Sequence, residues 1–538
     1  VCHAHQHQGN NSQNYSFHKR VFKNFCALFH ESYEFLIIYE INSLFLPPYH
    51  VQLITSTNLA HIQALKNKEM DTEKTVVKSG RIAAIDILRC LAIIGMTFSA
   101  NEGFFSDLPG WMFHAQTPPP TYDFNPNNPG LTWVDLVFPF FLLSMGAALP
   151  FSLRKKLSKG ESKAAVCGGL MKRWLTLTAF ALVLGNAYRV GSGVQPQWAQ
   201  SLLRMFVWAA LCLALMRVNS EKRWVHIAIN VSGVVLIVVC AVLLKFVFGV
   251  PLTTDNDIII TILAVASLLG GLLWLLTKDS IPLRWLCLAL VVALKAVSSY
   301  APQALSFIPA VPPVAGWAFQ WSFLQYLIPV LAGSIVGDII LGYVRTPERN
   351  GALEENMWLP ASLIAVSAVI IQLWGLYTRN ILADLLLSVA LAGIFLAVTR
   401  KVTKSVWARI GYIGFIFLVS GVLFDPLDGG ITKDYCNLSY LFTTSGMGIL
   451  VVSALLCCEL NAGLRCRFLS SVGQNPMVAY TVTGFVVGPV LTLTGAMSLL
   501  ENLSLGSPFW GVAKGAVLTL LMMLCTWLCT KTKIFWRS

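Results

Sequence analysis

The residues best suited to proton transfer in this chain are a histidine and an aspartate, His114 and Asp135. An imidazole oriented by a carboxylate can take a proton from an attacking amine or hydroxyl. His114 lies in a connection from Glu102 to Thr132 that also holds Trp111, Tyr122, three consecutive prolines from Pro118, and Pro126 and Pro129. Helix connections usually run ~2–8 residues, and much longer ones are often functional. The prolines and aromatics favour a stiff, packed loop. A lone loop histidine is more often a surface residue, so residue type alone does not make a site. Asp135 has two readings. In Thr132-Trp133-Val134-Asp135 it fits a capping box, an acidic group in the first helical turn. It could equally orient His114 at the mouth of the following span, and the two uses are compatible.

Ionisable groups inside apolar spans are expensive unless they face protein or water, so each is a candidate. Asp86 and Arg89 stand three apart, on one face of a helix. They fit a local ion pair or a binding site. Arg204 opens a later span, where it either snorkels to the interface or binds a ligand. Lys245 and Lys295 lie near span ends and fit snorkelling. Asp338 and Asp384 sit within spans, and the sequence names no partner for either.

The elements that must position these groups are membrane helices. Hydrophobic residues make up 56% of the 538-residue chain, charged residues 12%, and mean hydropathy is +0.65. A soluble chain carries about 25% charged residues. Apolar runs such as Val225 to Leu244, Ile258 to Leu276 and Leu441 to Leu460 approach the ~20 residues that cross a bilayer. They are too continuously apolar for alternating barrel strands, so helices are expected. Candidate spans begin near 82, 133, 170, 198, 225, 258, 285, 321, 357, 381, 408, 441, 477 and 509. The expected fold is all-α, a polytopic transmembrane helical bundle of about 12–14 spans. With the N-terminus inside, alternate connections hold Arg154 to Lys163, Arg217 to Arg223, Lys278 and Arg284, and so on to Arg537. The outside connections hold only Arg189, Arg379 and Lys433. That asymmetry places both termini in the cytoplasm.

The net charge of +13 is spread over these short clusters, with no long basic tract, so no nucleic-acid partner is expected. The thirteen Cys lie mostly within apolar spans, for example Cys212, Cys240, Cys457 and Cys458. Their spacing suggests neither a metal site nor a disulfide frame. Residues 1–69 are polar, rich in His, Asn and Gln, and lack a signal-peptide pattern. They read as a non-native or disordered N-terminal extension, with Met70 a natural start for a transmembrane domain over 70–538.

In order between Arg81 and Gly160 stand RIAAIDILRCLAIIGMTFSANEGFF, then FHA, then PGLTWVDLVFPFFLLSMGAALPFSLRKKLSKG. This series resembles heparan-alpha-glucosaminide N-acetyltransferase and its bacterial relatives. It has a first span with Asp-x-x-Arg, an Asn at its outer end, a loop His, and Asp-Leu-Val-Phe-Pro opening the next span. FDPLDGGITKDYCNLSYLFTTSG resembles the family's late outer loop and following span, and VGQNPMVAY its penultimate-span motif. A proline-rich insertion after Ala115 and Cys90 in place of a Gly depart from the pattern. The resemblance implies catalytic roles for His114, Asp135 and Asn101. It places substrate-binding residues at Asp86, Arg89, Arg204 and Asn475. It implies transfer of an acetyl group from cytosolic acetyl-CoA, the co-substrate, to a carbohydrate amine or hydroxyl across the membrane, and location in a bacterial inner membrane. His114 would be the base, Asp135 its orienter, and Asn101 an oxyanion donor or acceptor positioner. A multi-span transporter or flippase of a sugar or lipid-linked substrate is the competing class, a non-catalytic membrane scaffold is a third, and homo-oligomerisation is left open.

Overall fold

The computed structural model describes residues 82–101, 108–189, 194–216, 223–312, 315–345 and 352–536. The expectation for residues 1–69 lies outside the described residues. Among the described residues every long element is a helix, and the one extended pairing is an isolated bridge between Met216 and Trp536. The helices are α1 Ala83–Ser99, α2 Val137–Ser158, α3 Lys163–Tyr188, α4 Gln197–Leu215, α5 Arg223–Val242 and α6 Ile258–Leu276. There follow α7 Ile281–Tyr300, α8 Leu327–Arg345, α9 Ala352–Thr378, α10 Ile381–Thr399, α11 Val406–Phe424 and α12 Leu438–Asn461. The chain ends with α13 Arg467–Gly473, α14 Pro476–Val482, α15 Gly488–Leu493, α16 Ala496–Leu505 and α17 Pro508–Lys531.

Thirteen of these helical segments are long and apolar enough to cross a membrane, and α1, with 17 residues, is slightly shorter. The protein is a multi-pass membrane protein. Observed helix starts agree with the expected ones to within a few residues except at α8, which a 3-10 stretch Trp321–Tyr326 precedes, and at α3. There Ser162 accepts from the Ala165 amide at 3.2 Å, so the helix begins at its cap, ahead of the apolar run. Other starts are also fixed by local caps: Asp257 on the Ile260 amide, Ser280 on Leu283 and Asn437 on Tyr440.

The helices sort by burial. α8 and α12 are buried over 78% of their apolar windows, and α5, α7 and α10 over 17%. The former make the centre, while the latter turn apolar faces outward, as lipid requires. α2 and α8 meet backbone to backbone. A Cβ on Gly146 would collide with the Val330 carbonyl, one on Gly333 with that of Leu143, and one on Gly337 with that of Ala147. Gly333 and Gly337 form a small-xxx-small pair, the usual device for close packing in lipid.

Candidate active site

The site is built on a single turn at the start of α2. Residues Trp133–Leu136 form a 3-10 turn leading into the helix, and Pro139 sits in the first turn of α2, where its missing N–H costs nothing. Asp135 is 1% exposed, and its two oxygens divide the two expected roles. Oδ2 accepts from the Thr132 amide at 3.0 Å and from its hydroxyl at 3.2 Å. Oδ1 lies 2.6 Å from His114 Nδ1. The cap fixes the carboxylate, and the fixed carboxylate fixes the imidazole. Tyr440 on α12 donates to the Asp135 carbonyl at 2.8 Å and ties the turn to the core.

His114 is held from its own loop as well. Thr117 donates its hydroxyl to the His114 carbonyl, Asn125 its amide to the Gln116 carbonyl, and the rings of Phe113 and Tyr122 pack edge to face at 5.0 Å. The described part of the loop packs around the buried Phe113, Ala115 and Gln116, while Trp111 and Phe124 are exposed.

A third group completes the cluster. Lys433 Nζ stands 3.0 Å from His114 Nδ1, 3.4 Å from Nε2 and 3.8 Å from Asp135 Oδ1. The ammonium thus stands against the imidazole beside both ring nitrogens, nearer Nδ1. Its loop is tied down by two buried side chains, Asp425 and Asn437. Asp425 takes two hydrogen bonds from Arg379 at 2.8 Å each and one from the Ile431 amide at 2.7 Å. Asn437 accepts from the Thr432 amide and donates to the Gly430 carbonyl. Gly130 N–H donates to the Ile431 carbonyl at 2.9 Å, joining the His114 and Lys433 loops directly. Sequence reasoning missed Lys433 as a site residue. The available signal was its sign: it is one of three basic residues in the outside connections.

These groups line a cavity of about 340 Å³ whose walls are otherwise mainly apolar, with Met96 and Ser99 from α1, Phe138 and Phe141 from α2, and Met477 and Tyr480 from α14. Tyr480 donates to Asp257 Oδ2 at 2.7 Å while Asp257 Oδ1 caps α6, so this wall is also set by a helix cap. Cys436 offers no competing nucleophile. It is buried, and burial pushes its thiol up to about 12, leaving little thiolate at neutral pH.

Asn101 does not join His114. Its side chain donates to the Thr97 carbonyl of its own helix at 2.6 Å, and it lines a different cavity, together with Arg204. The group that stands beside the imidazole is Lys433, not Asn101. Asp86 and Arg89 form the ion pair at 3.5 Å, and Arg89 donates to the carbonyls of Gly473 and Ser144. They fasten α1 to α13 and α2. Asn475 has backbone partners in the C-terminal segment. It donates to the Ile534 carbonyl at 2.7 Å and accepts from the Trp536 amide, anchoring the C-terminal segment ahead of α14.

Asp338, which the sequence left without a partner, has three. It pairs with the fully buried Arg284, with Arg154 at 3.3 Å, and accepts from the Trp274 indole at 3.0 Å. Both guanidinium groups also lie over the Trp274 ring, at 5.5 Å and 5.7 Å. Asp384 accepts from Gln372 between α9 and α10. Beside the Asp338 cluster is a cavity of about 350 Å³ lined by Arg154, Lys278, Asp279 and Arg345. Along α2, Phe141 of the His114 cavity and Arg154 of this one are thirteen residues apart, about 20 Å at ~1.5 Å per residue. The two cavities therefore occupy opposite ends of the bundle.

Residues 81–340, a little under half of the chain, match a family described as a domain of unknown function, DUF5009. The match includes His114 and Asp135 and stops short of Lys433. No curated protein matches the chain.

Proposed function

We propose that this protein is a membrane-embedded acyltransferase that moves an acetyl group from cytosolic acetyl-CoA to a sugar amine or hydroxyl on the outer side of the membrane, in the manner of the heparan-alpha-glucosaminide N-acetyltransferase-like enzymes that it resembles. The observation that carries the reading is the buried Asp135 holding His114, with Lys433 against the imidazole, in a single cavity. A thioester is already activated, so the protein must supply position, a base and a partner for developing negative charge. His114 Nε2 takes the proton from the attacking nitrogen or oxygen as that atom bonds to the thioester carbonyl carbon. The carbonyl oxygen becomes an oxyanion, and Lys433 moves from the ring to meet it. Collapse breaks the C–S bond, and the proton held on His114 passes to the departing thiolate. Asp135 carries the transient imidazolium.

The cavity at the opposite end supports a cytosolic donor. Arg154, Lys278 and Arg345 line it, and a nucleotide bearing phosphates must stay at such a face because its charge cannot be desolvated in mid-membrane. On this reading the protein sits in a bacterial inner membrane with both termini in the cytoplasm, as the charge asymmetry of its connections favours.

The test uses sealed vesicles of known orientation, with labelled acetyl-CoA on the inner face and a glucosamine acceptor on the other. Acetylated sugar should accumulate with wild type and not with His114→Ala. Transport of unmodified sugar with no loss of the acetyl group would establish the transporter reading instead.

A further inference from the structure

The cavity that receives Asn101 and Arg204 has a different character from the His114 cavity. It measures about 370 Å³ and is lined by Asn101, Gln197, Gln200, Arg204, Thr483 and Glu501, among others. It lies at the same end of the bundle, since Asn101 follows directly on α1, whose Ser99 lines the His114 cavity. Three carboxamides, each with both donor and acceptor, face a space walled by α4 and the stretch from Thr483 to Leu518. Two of its polar atoms are buried with no hydrogen-bond partner among the described residues: Arg204 Nε and Thr483 Oγ1. Buried polar atoms are nearly always paired, and an unpaired one calls for an explanation. A guanidinium held among apolar helices is costlier still. Thr483 opens a π-helical turn, Thr483–Val487, that interrupts the penultimate span. Such turns recur at functional sites. Arg204 is half-buried, its Nε enclosed, and amides, hydroxyls and the exposed Glu501 line the same cavity.

We infer that this cavity is a second binding site, for an anionic group carried beside hydroxyls. Arg204 takes the carboxylate or phosphate, and the carboxamides of Asn101, Gln197 and Gln200 together with the Thr483 hydroxyl take the hydroxyls. A soluble sugar acid or sugar phosphate and the glycerol phosphate head of an anionic lipid share that chemistry. The site stands independently of the acyl-transfer reading.

The experiment uses the full chain in phosphatidylcholine nanodiscs without acetyl-CoA. Glucuronate and glucose 6-phosphate are the probes, glucose is the uncharged control, and binding is read by thermophoresis. A second arm adds phosphatidylglycerol and reads retained lipid by native mass spectrometry. Saturable binding of either anionic sugar, absent for glucose and weakened at least tenfold by Arg204→Gln, supports the site with a soluble ligand. Selective retention of phosphatidylglycerol, lost in Arg204→Gln, supports it with a lipid head. Gln200→Leu and Thr483→Val should weaken the same binding, and they decide the matter if Arg204→Gln does not fold. His114→Ala should leave binding unchanged, which separates this site from the catalytic one. Absence of binding in both arms, or binding that none of the three cavity variants alters, overturns the proposal.

Discussion

At the residue scale, the chemistry rests on one carboxylate with two duties. Asp135 is legible in the sequence because both duties leave a mark: a threonine three residues before it, and a histidine in the adjoining loop. Lys433 was not legible as a partner, because it reaches His114 from 319 positions away through a loop whose shape depends on Asp425 and Asn437. Asn101 misled for the opposite reason. A polar residue at a helix end satisfies itself on its own backbone, here at Thr97, and the side chain's direction is not written in its type. The three site residues should separate kinetically. His114→Ala removes the base and should lower kcat by about 10²–10⁴-fold. Lys433→Met should lower kcat by about 10²–10³-fold with little change in KM, as loss of an oxyanion donor does. If it raises KM alone, Lys433 binds substrate and does not stabilise the transition state. Asp135→Asn keeps the shape but supplies a neutral amide in place of the carboxylate. It should lose activity comparably to His114→Ala and also destabilise the turn by about 1 kcal/mol through the weakened cap.

At the element scale, apolar runs and capping residues were enough to place the spans, since bilayer thickness and backbone hydrogen bonding leave few alternatives. The π-helical turn at Thr483–Val487 and the short α16 were not legible, because hydropathy records length and not helical register. Packing partners were equally hidden. Gly333 and Gly337 are unremarkable in a hydropathy profile, yet they let α8 lie on the backbone of α2. Gly333→Val should force the pair apart and cost at least the ~1–3 kcal/mol typical of overpacking. The thermal midpoint in detergent should fall, and activity with it, because α2 carries Asp135's turn. Gly342→Val on the same helix meets no atom within 4 Å of its Cβ position and should be neutral. Equal destabilisation by both would show that helix propensity is responsible and not the contact. The Asp338 cluster gives a parallel test at the other end. Arg284 is 0% exposed, so Asp338→Ala leaves a buried charge without its carboxylate and should cost about 3–5 kcal/mol.

At the scale of the whole molecule, function depends on which end faces which compartment. The proposed function has the His114 end outside, as the charge pattern leads one to expect. The structure supplies groups that can report on that assignment without disturbing the site. Cys466, between α12 and α13, is exposed, while the other described cysteines are buried or partly buried. It lies at the end where Glu459 holds the first amides of α1, Ala83 at 3.1 Å and Ala84 at 2.9 Å. Since α1 runs from that end to Ser99 at the His114 cavity, Cys466 and His114 are on opposite faces. Phe124, in the His114 loop, is 61% exposed and tolerates replacement by cysteine on that ground. A membrane-impermeant maleimide should therefore modify Cys466 in inside-out vesicles and spare it in right-side-out ones, with the modified peptide identified by mass spectrometry. Phe124→Cys should show the reverse. The result bears on the proposed mechanism as well as topology, because that proposal has a cytosolic donor meeting the basic cavity at the Arg154 end. Labelling of Cys466 from the outside would invert the bundle. His114 would then face the cytosol, the donor would meet the base directly, and transfer across the membrane would have no part in the reaction.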